Sequence, residues 1–222
     1  MNDGRSHTKK LFKYNNTMKH LIAIMTLSLL VSGLCAQDIT LPKPRTAGGK
    51  PLMQALSERA TNRNMVEKPL SLEHLSNLLW AATGINRPDG RMTAPTASNN
   101  QEIDVYVFLK EGVYLYDVKK HALKFKLGGD HRAEAARQGA PSGALLVYVA
   151  DYNRMGRYDE AAKEFYSGTD TGFIGQNVYL YCASEGLATV VIGQVNRSAV
   201  VELLGLENAK VTLGQPVGYP SQ

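Results

Sequence analysis

The sequence predicts one α+β domain behind a short export leader. Its 222 residues suit a single domain that can bury a proper core without disulfides. A hydrophobic share of 44% excludes a disordered chain. Helical and strand patterns are interspersed along the chain, without the regular alternation that builds a doubly wound parallel sheet.

The leader comes first. Lys19 and His20 precede the apolar run Leu21 to Val31, and Ser32-Gly33-Leu34-Cys35-Ala36-Gln37 follows. A positive start, an apolar stretch and a small residue before a polar one make the secretory pattern. Residues 1–36 are therefore expected to be a signal peptide cut after Ala36, and residues 37–222 a periplasmic domain with no membrane contact once the leader is gone. The run falls short of the roughly 20 residues a spanning helix needs. Leu34, standing where a lipidation signal wants a small residue, argues against lipid attachment at Cys35. Cys182 is then the one remaining cysteine, and its apolar-aromatic setting, Val178 to Ala183, reads as a buried thiol rather than a nucleophile.

The same segment explains the charge. The whole chain carries 25 Lys plus Arg against 20 Asp plus Glu, a net +5. Five of those cations and one of the acids lie in residues 1–36, which leaves the domain at +1. A nucleic-acid partner is not indicated.

Within the domain, Pro51 to Ala60 reads as a short helix with proline at its start. Ser71 is an N-cap for a second helix whose Leu72, Leu75, Leu78, Leu79 and Ala82 share one face, with Gly84 closing it. Turn-rich residues 86–101 follow. Val105 to Leu109 and Val113 to Val118 flank Lys110-Glu111-Gly112 as a hairpin. A short helix is expected around His131 to Gln138, then an apolar strand from Ala144 to Ala150. Arg154 to Tyr166 and Thr171 to Glu185 read as two helices. Leu187 to Ile192 reads as a strand, Ser198 to Leu206 as a helix and Lys210 to Val217 as the last strand.

Side-chain reagents are scarce. No HExxH, CxxC pair, GxSxG or nucleotide-binding glycine loop occurs, and His74, His121 and His131 read as surface or capping residues, so no metal site is expected. An enzyme so equipped must borrow its chemistry from a cofactor. Four segments could hold one. Arg59, Thr61 and Arg63 offer two guanidinium forks and a hydroxyl to one phosphate, although a solvated helix end has the same composition. Ala94 to Gln101 is a small-residue, amide-rich turn. Gly186 to Gly193 runs from a helix end through an apolar strand to a glycine. Pro216-Val217-Gly218-Tyr219-Pro220 closes the chain.

In this order and spacing the segments resemble the nitroreductase superfamily of FMN flavoproteins, from about Leu41 to Pro220. Leu79 to Gly90, the Pro95–Gln101 loop and Gly175-Gln176-Asn177 add to the likeness. The nearest likeness is to the azoline-oxidising, thiazole/oxazole dehydrogenase-type subgroup, and within it to exported members of Bacteroides-like bacteria. The resemblance implies a mixed, mainly antiparallel sheet flanked by helices in an interlocked homodimer with FMN at the interface. It implies that Arg59, Thr61 and Arg63 bind the phosphate and ribityl chain. Pro95, Thr96, Ala97 and Asn99 would reach the flavin of the partner subunit, and Gln138 would bond the pyrimidine edge. Val191, Ile192 and Gly193 would lie along the ring, with the Gly193 N–H aimed at N5. Trp80, Tyr179 and Tyr181 suit either that interface or ordinary core packing. One departure stands out: no Lys or Arg follows the final strand, where family members often complete the phosphate site.

The expected function is electron transfer through flavin N5 from a reduced donor such as NAD(P)H to an organic acceptor such as a nitroaromatic or quinone. Two alternatives remain open at this stage. One is an azoline-type dehydrogenase acting on a small or peptide-derived substrate. The other is an exported, non-catalytic binding or scaffold protein.

Overall fold

A computed structural model describes residues 37–136 and 142–221. The leader and Gln138 lie outside the described residues. In chain order the strands are β1 (Ile39–Thr40), β2 (Met65–Val66), β3 (Ile103–Phe108), β4 (Gly112–Asp117), β5 (Ala122–Gly128), β6 (Ala144–Asp151), β7 (Ala188–Thr189) and β8 (Ala209–Pro220). The helices are α1 (Leu52–Glu58), α2 (Leu72–Thr83), α3 (Arg132–Ala135), α4 (Glu160–Glu185) and α5 (Arg197–Leu204). The sheet runs β1-β5-β4-β3-β6-β8-β2, with β7 added beside β8, and every pairing between these strands is antiparallel. The fold is α+β, as expected, with the sheet antiparallel wherever it is described.

Alternation along the central strands sets the layers. Val105, Val107, Leu146, Tyr148 and Ala150 meet Leu75, Leu78, Leu79 and Ala82 of α2 and Ile174, Val178 and Cys182 of α4. The intervening Tyr106, Phe108, Leu145, Val147 and Val149 face Val190, Ile192, Val195 and Val200 on the other side. A strand buried on both faces must be apolar at every position, which is why Ala144 to Ala150 reads as an unbroken run. Each such fully buried branched side chain contributes about 1.5–3 kcal/mol relative to an exposed one.

The helix starts follow their caps. The Ser71 hydroxyl accepts the His74 N–H at 3.1 Å and opens α2. Gly84 ends it in extended backbone, and glycine is required there because a Cβ would lie 2.3 Å from the Trp80 ring. The two helices expected over 154–166 and 171–185 are one. A 3-10 turn holds Tyr152–Met155, and α4 then runs 26 residues from an Asp159 cap to Gly186, whose φ of 70° stops it. Ser167, Gly168 and Thr169 look like a break in sequence. The Thr169 and Thr171 hydroxyls instead donate to carbonyls one turn back, Phe165 at 2.9 Å and Ser167 at 2.7 Å, so the turn stays inside the helix. The strand expected over Leu187 to Ile192 is shorter, being β7 plus a separate bridge from Ile192 to Gly214.

Candidate functional site

Where α1 ends, Arg59 leaves helical geometry with ψ 120°, and the chain runs on towards β2. The Asn62 N–H donates to the Thr189 carbonyl at 3.0 Å, which lays this stretch beside β7. Tyr179 of α4 reaches the same place. Its phenol oxygen lies 3.1 Å from Thr61 Oγ1 and accepts the Val191 N–H at 2.9 Å. The Arg59 guanidinium sits over its ring, 5.4 Å from the centroid. Arg45, Arg91, Arg132 and Arg154 are paired with carboxylates, whereas Arg59 and Arg63 meet none among the described residues. The Arg59 guanidinium thus stands over the ring that bonds the exposed Thr61 hydroxyl, with no internal counter-ion among the described residues, and Arg63 follows two residues on.

The chain beyond Val191 is held from below. Ile192 exchanges backbone hydrogen bonds with Gly214 at 2.8 and 3.0 Å. Arg197 spreads its fork over three carbonyls, Val211 (3.0 Å), Gly193 (3.2 Å) and Thr212 (2.8 Å). Gly193 itself is exposed, keeps a φ open to any residue, and would meet nothing within 4 Å if it carried a Cβ. Packing within the chain gives no reason for glycine at that position. Gly175 is the contrast. A Cβ there would lie 3.3 Å from both Gln215 Oε1 and Val191 Cγ2. Gln215 is fully buried, its amide donating to the Gly175 carbonyl at 3.2 Å and its oxygen accepting from the Tyr148 hydroxyl at 2.6 Å.

The turn from Pro95 to Gln101 is built separately. Ser98, Asn99 and Gln101 hold φ of 52°, 57° and 51°, left-handed values that cost a non-glycine residue energy. Surrounding bonds impose them. The buried Asp170 carboxylate accepts the Ala97 N–H at 2.8 Å, Thr96 Oγ1 accepts the Gln101 N–H at 2.9 Å, and Ser98 bonds the Tyr158 hydroxyl at 2.8 Å. Beneath lies Glu102, fully buried, with both carboxylate oxygens lacking a partner in good geometry. Burial first, and the facing Asp170 second, push its pKa up to about 7.

Of the residues singled out in sequence, Arg59, Thr61 and Val191 come together around Tyr179. Arg63 follows the Asn62 tie, and Ile192 and Gly193 continue the pinned strand end. Pro95, Thr96, Ala97 and Asn99 form a second group, anchored to α4 at Asp170. That anchor is nine residues from Tyr179, about 13 Å along the helix axis. Two clefts open elsewhere on the chain. One of about 460 Å³ lies among Arg45, Asn77, Trp80 and Tyr181, and one of about 620 Å³ takes in Asn99, Gln101, Asp104 and Arg154. Neither includes Arg59, Thr61 or Gly193. The three histidines among the described residues are engaged within the protein: His74 with Tyr181, His121 between Ser76 and Tyr116, and His131 with Glu134. Sequence reasoning missed the hub role of Tyr179, the grip of Arg197 and the Glu102–Asp170 pair. Only Tyr179 left a signal, as a polar-tipped aromatic next to core Val178.

The sequence profile of the nitroreductase family matches residues 56–219. The chain belongs to the nitroreductase family. It is thus an oxidoreductase of an FMN-dependent class. A Methanocaldococcus jannaschii protein that carries nitroreductase in its name is 30% identical over 179 residues, spanning 75% of this chain and 90% of that one. The crystal structure of a Ralstonia eutropha protein described in the same terms superposes with a TM-score of 0.79 at 38% identity, over 86% of this chain and 92% of that chain. The NADPH:FMN oxidoreductase of Vibrio harveyi, solved with NAD+, shares the fold at a TM-score of 0.57 and 22% identity, over 77% and 69% of the two chains. The nitroreductase match covers both groups of candidate residues, with Arg59 near its start and β8 at its end.

Proposed function

We propose that this nitroreductase-family chain, as a homodimer, binds FMN and passes electrons from a reduced donor to an organic acceptor. The observation that carries the reading is the cluster of Arg59, Thr61 and Val191 around Tyr179, with Arg63 two residues beyond Thr61 in the chain. Two guanidinium groups without carboxylate partners and an exposed hydroxyl suit a phosphate dianion. The pinned strand end at Val191–Gly193 offers backbone with no side chain over Gly193, which suits a flat ring approaching closely. The donor set therefore fits FMN. When bound, FMN supplies hydride and electron transfer at N5.

The protein's part is to bind and to orient. Arg59 and Arg63 hold the phosphate, Thr61 donates to it, and Val191, Ile192 and Gly193 line the ring. Gln138, expected at the pyrimidine edge, lies outside the described residues. Pro95, Thr96, Ala97 and Asn99 serve the site of the second subunit. Their anchorage about 13 Å along α4 from Tyr179 supports that division. Exposed apolar side chains support the dimer, with Met53 of α1 at 75% and Phe165 of α4 at 67% exposure. The leader, residues 1–36, would place the enzyme in the periplasm. NAD(P)H is the proposed donor, in line with the name of the Vibrio harveyi relative, and a nitroaromatic or quinone the acceptor.

The test is the visible spectrum of the purified protein, before and after adding FMN. A flavin spectrum, with bleaching by NADPH and recovery with a nitroaromatic, is expected. A colourless protein that takes up no FMN overturns the reading. The azoline-dehydrogenase alternative would instead be marked by bleaching with an azoline substrate in the absence of nicotinamide.

A further inference from the structure

We infer that Tyr179 is a positioning residue for the phosphate end of this site, its phenol fixing the direction in which Thr61 offers its proton. The inference rests on the FMN reading and deepens it. The argument is a count of donors. The Val191 N–H can only donate, so its 2.9 Å bond uses a lone pair of the Tyr179 oxygen. The phenol has one proton left to place, and Thr61 Oγ1 lies 3.1 Å away. If Thr61 donated to Tyr179, the phenol would accept twice and its own proton would have no protein acceptor among the described residues. With Tyr179 donating to Thr61 Oγ1, all three groups are satisfied. The Thr61 proton is then turned away from α4, between Arg59 and Arg63 in sequence and free for an external acceptor.

The same ring carries the Arg59 guanidinium on its face at 5.4 Å. A cation held by a π face keeps its fork of donors available, which a carboxylate partner would occupy. Tyr179 therefore acts on two of the phosphate-binding side chains through two different parts of itself. Its hydroxyl also holds the Val191 N–H beside the proposed ring site, so its loss should weaken FMN binding more than riboflavin binding.

FMN and riboflavin differ by that phosphate, so the experiment compares them. Each is titrated by fluorescence quenching into flavin-free full-length protein, as wild type, Tyr179→Phe, Thr61→Val, Thr61→Ser and the Tyr179→Phe/Thr61→Val pair. Tyr179→Phe keeps the ring under Arg59 and removes only the hydroxyl. It should lose about tenfold in FMN affinity and distinctly less in riboflavin affinity, for which only the lost Val191 bond counts. Thr61→Val should lose a similar factor, Thr61→Ser should bind as wild type, and the double variant should lose no more than either single change. Tyr179→Phe with an unchanged preference for FMN, an equal loss for both flavins, or additive losses in the pair would each overturn the inference. So would equal behaviour of Thr61→Ser and Thr61→Val, a comparison that stands even if Tyr179→Phe does not fold. Wild-type protein that binds neither flavin overturns the FMN reading as well. Wild-type binding that Arg59→Ala abolishes and Tyr179→Phe leaves intact overturns this inference alone.

Discussion

The carboxylates of Glu102 and Asp170 face each other in the interior beneath the Pro95–Gln101 turn, at 0% and 2% exposure. Asp170 is committed to the Ala97 N–H. The charge of Arg154 acts on Glu102 only weakly, because it also serves Asp104 and Asp151. Two buried carboxylates so placed coexist most easily when one keeps its proton.

The first prediction follows from that proton. Folding raises the Glu102 pKa from 4.5 to about 7. Between those values the folded protein keeps a proton that the unfolded chain releases, so stability falls as pH rises through the window and levels off above it. Glu102→Gln, neutral at every pH, should remove the fall and melt higher than wild type at pH 8. Thermal melts from pH 4.5 to 8.5 measure both. A wild-type melting temperature that does not drop across the window would contradict the assignment.

Arg59→Ala should separate binding from stability. Arg59 has no carboxylate partner to strand, so the melting temperature should stay within a degree or two of wild type. FMN affinity should fall at least tenfold, in line with the loss of a charge-assisted hydrogen bond worth about 1.5–3 kcal/mol. Arg154→Ala, which leaves Asp104 and Asp151 without their cation, should do the reverse. Paired melts and FMN titrations distinguish the two patterns.

The two glycines should part company under one methyl group. Gly193→Ala meets nothing in the chain, so it should fold as wild type yet shift the flavin absorption bands or weaken FMN binding. Gly175→Ala gains about 1 kcal/mol of helix propensity. That gain is set against contacts at 3.3 Å with Val191 and with a Gln215 held by two hydrogen bonds. Net destabilisation is expected, and denaturant midpoints measure it.

Tyr148→Phe strands the Gln215 oxygen in a fully buried place. The cost should be about 1–3 kcal/mol, read from urea unfolding. Cys182, fully buried with its thiol pushed up by desolvation, should resist a thiol reagent until the protein is unfolded.

What the sequence disclosed divides along physical lines. The start of α2 was legible because Ser71 and a row of leucines act locally, and β3, β4 and β6 because their apolar runs are dense. β5 was missed although Leu123, Phe125 and Leu127 alternate with Lys124 and Lys126. Its lysines and the turn before it resemble a loop until the hydrogen bonds to β4 are seen. The single α4 was hidden because the Ser-Gly-Thr stretch is satisfied by bonds back into the helix, which composition does not reveal. At the site, the Arg59–Arg63 segment and the Val191–Gly193 strand end were found as two separate pieces. Tyr179, which joins them, lies 118 residues from Thr61, a separation that no local pattern spans.

The strand β8 lies between β6 and β2 rather than at an edge, and its Gly214 also bridges Ile192. A ribosome delivers these residues after every other strand of the sheet, yet they fill an interior slot. A nascent chain halted before Ala209 would hold β6 and β2 with open flanks and leave the Val191 strand end without its support. The sheet can therefore close only after β8 itself has been made. Assembly should be slow and dominated by long-range pairing.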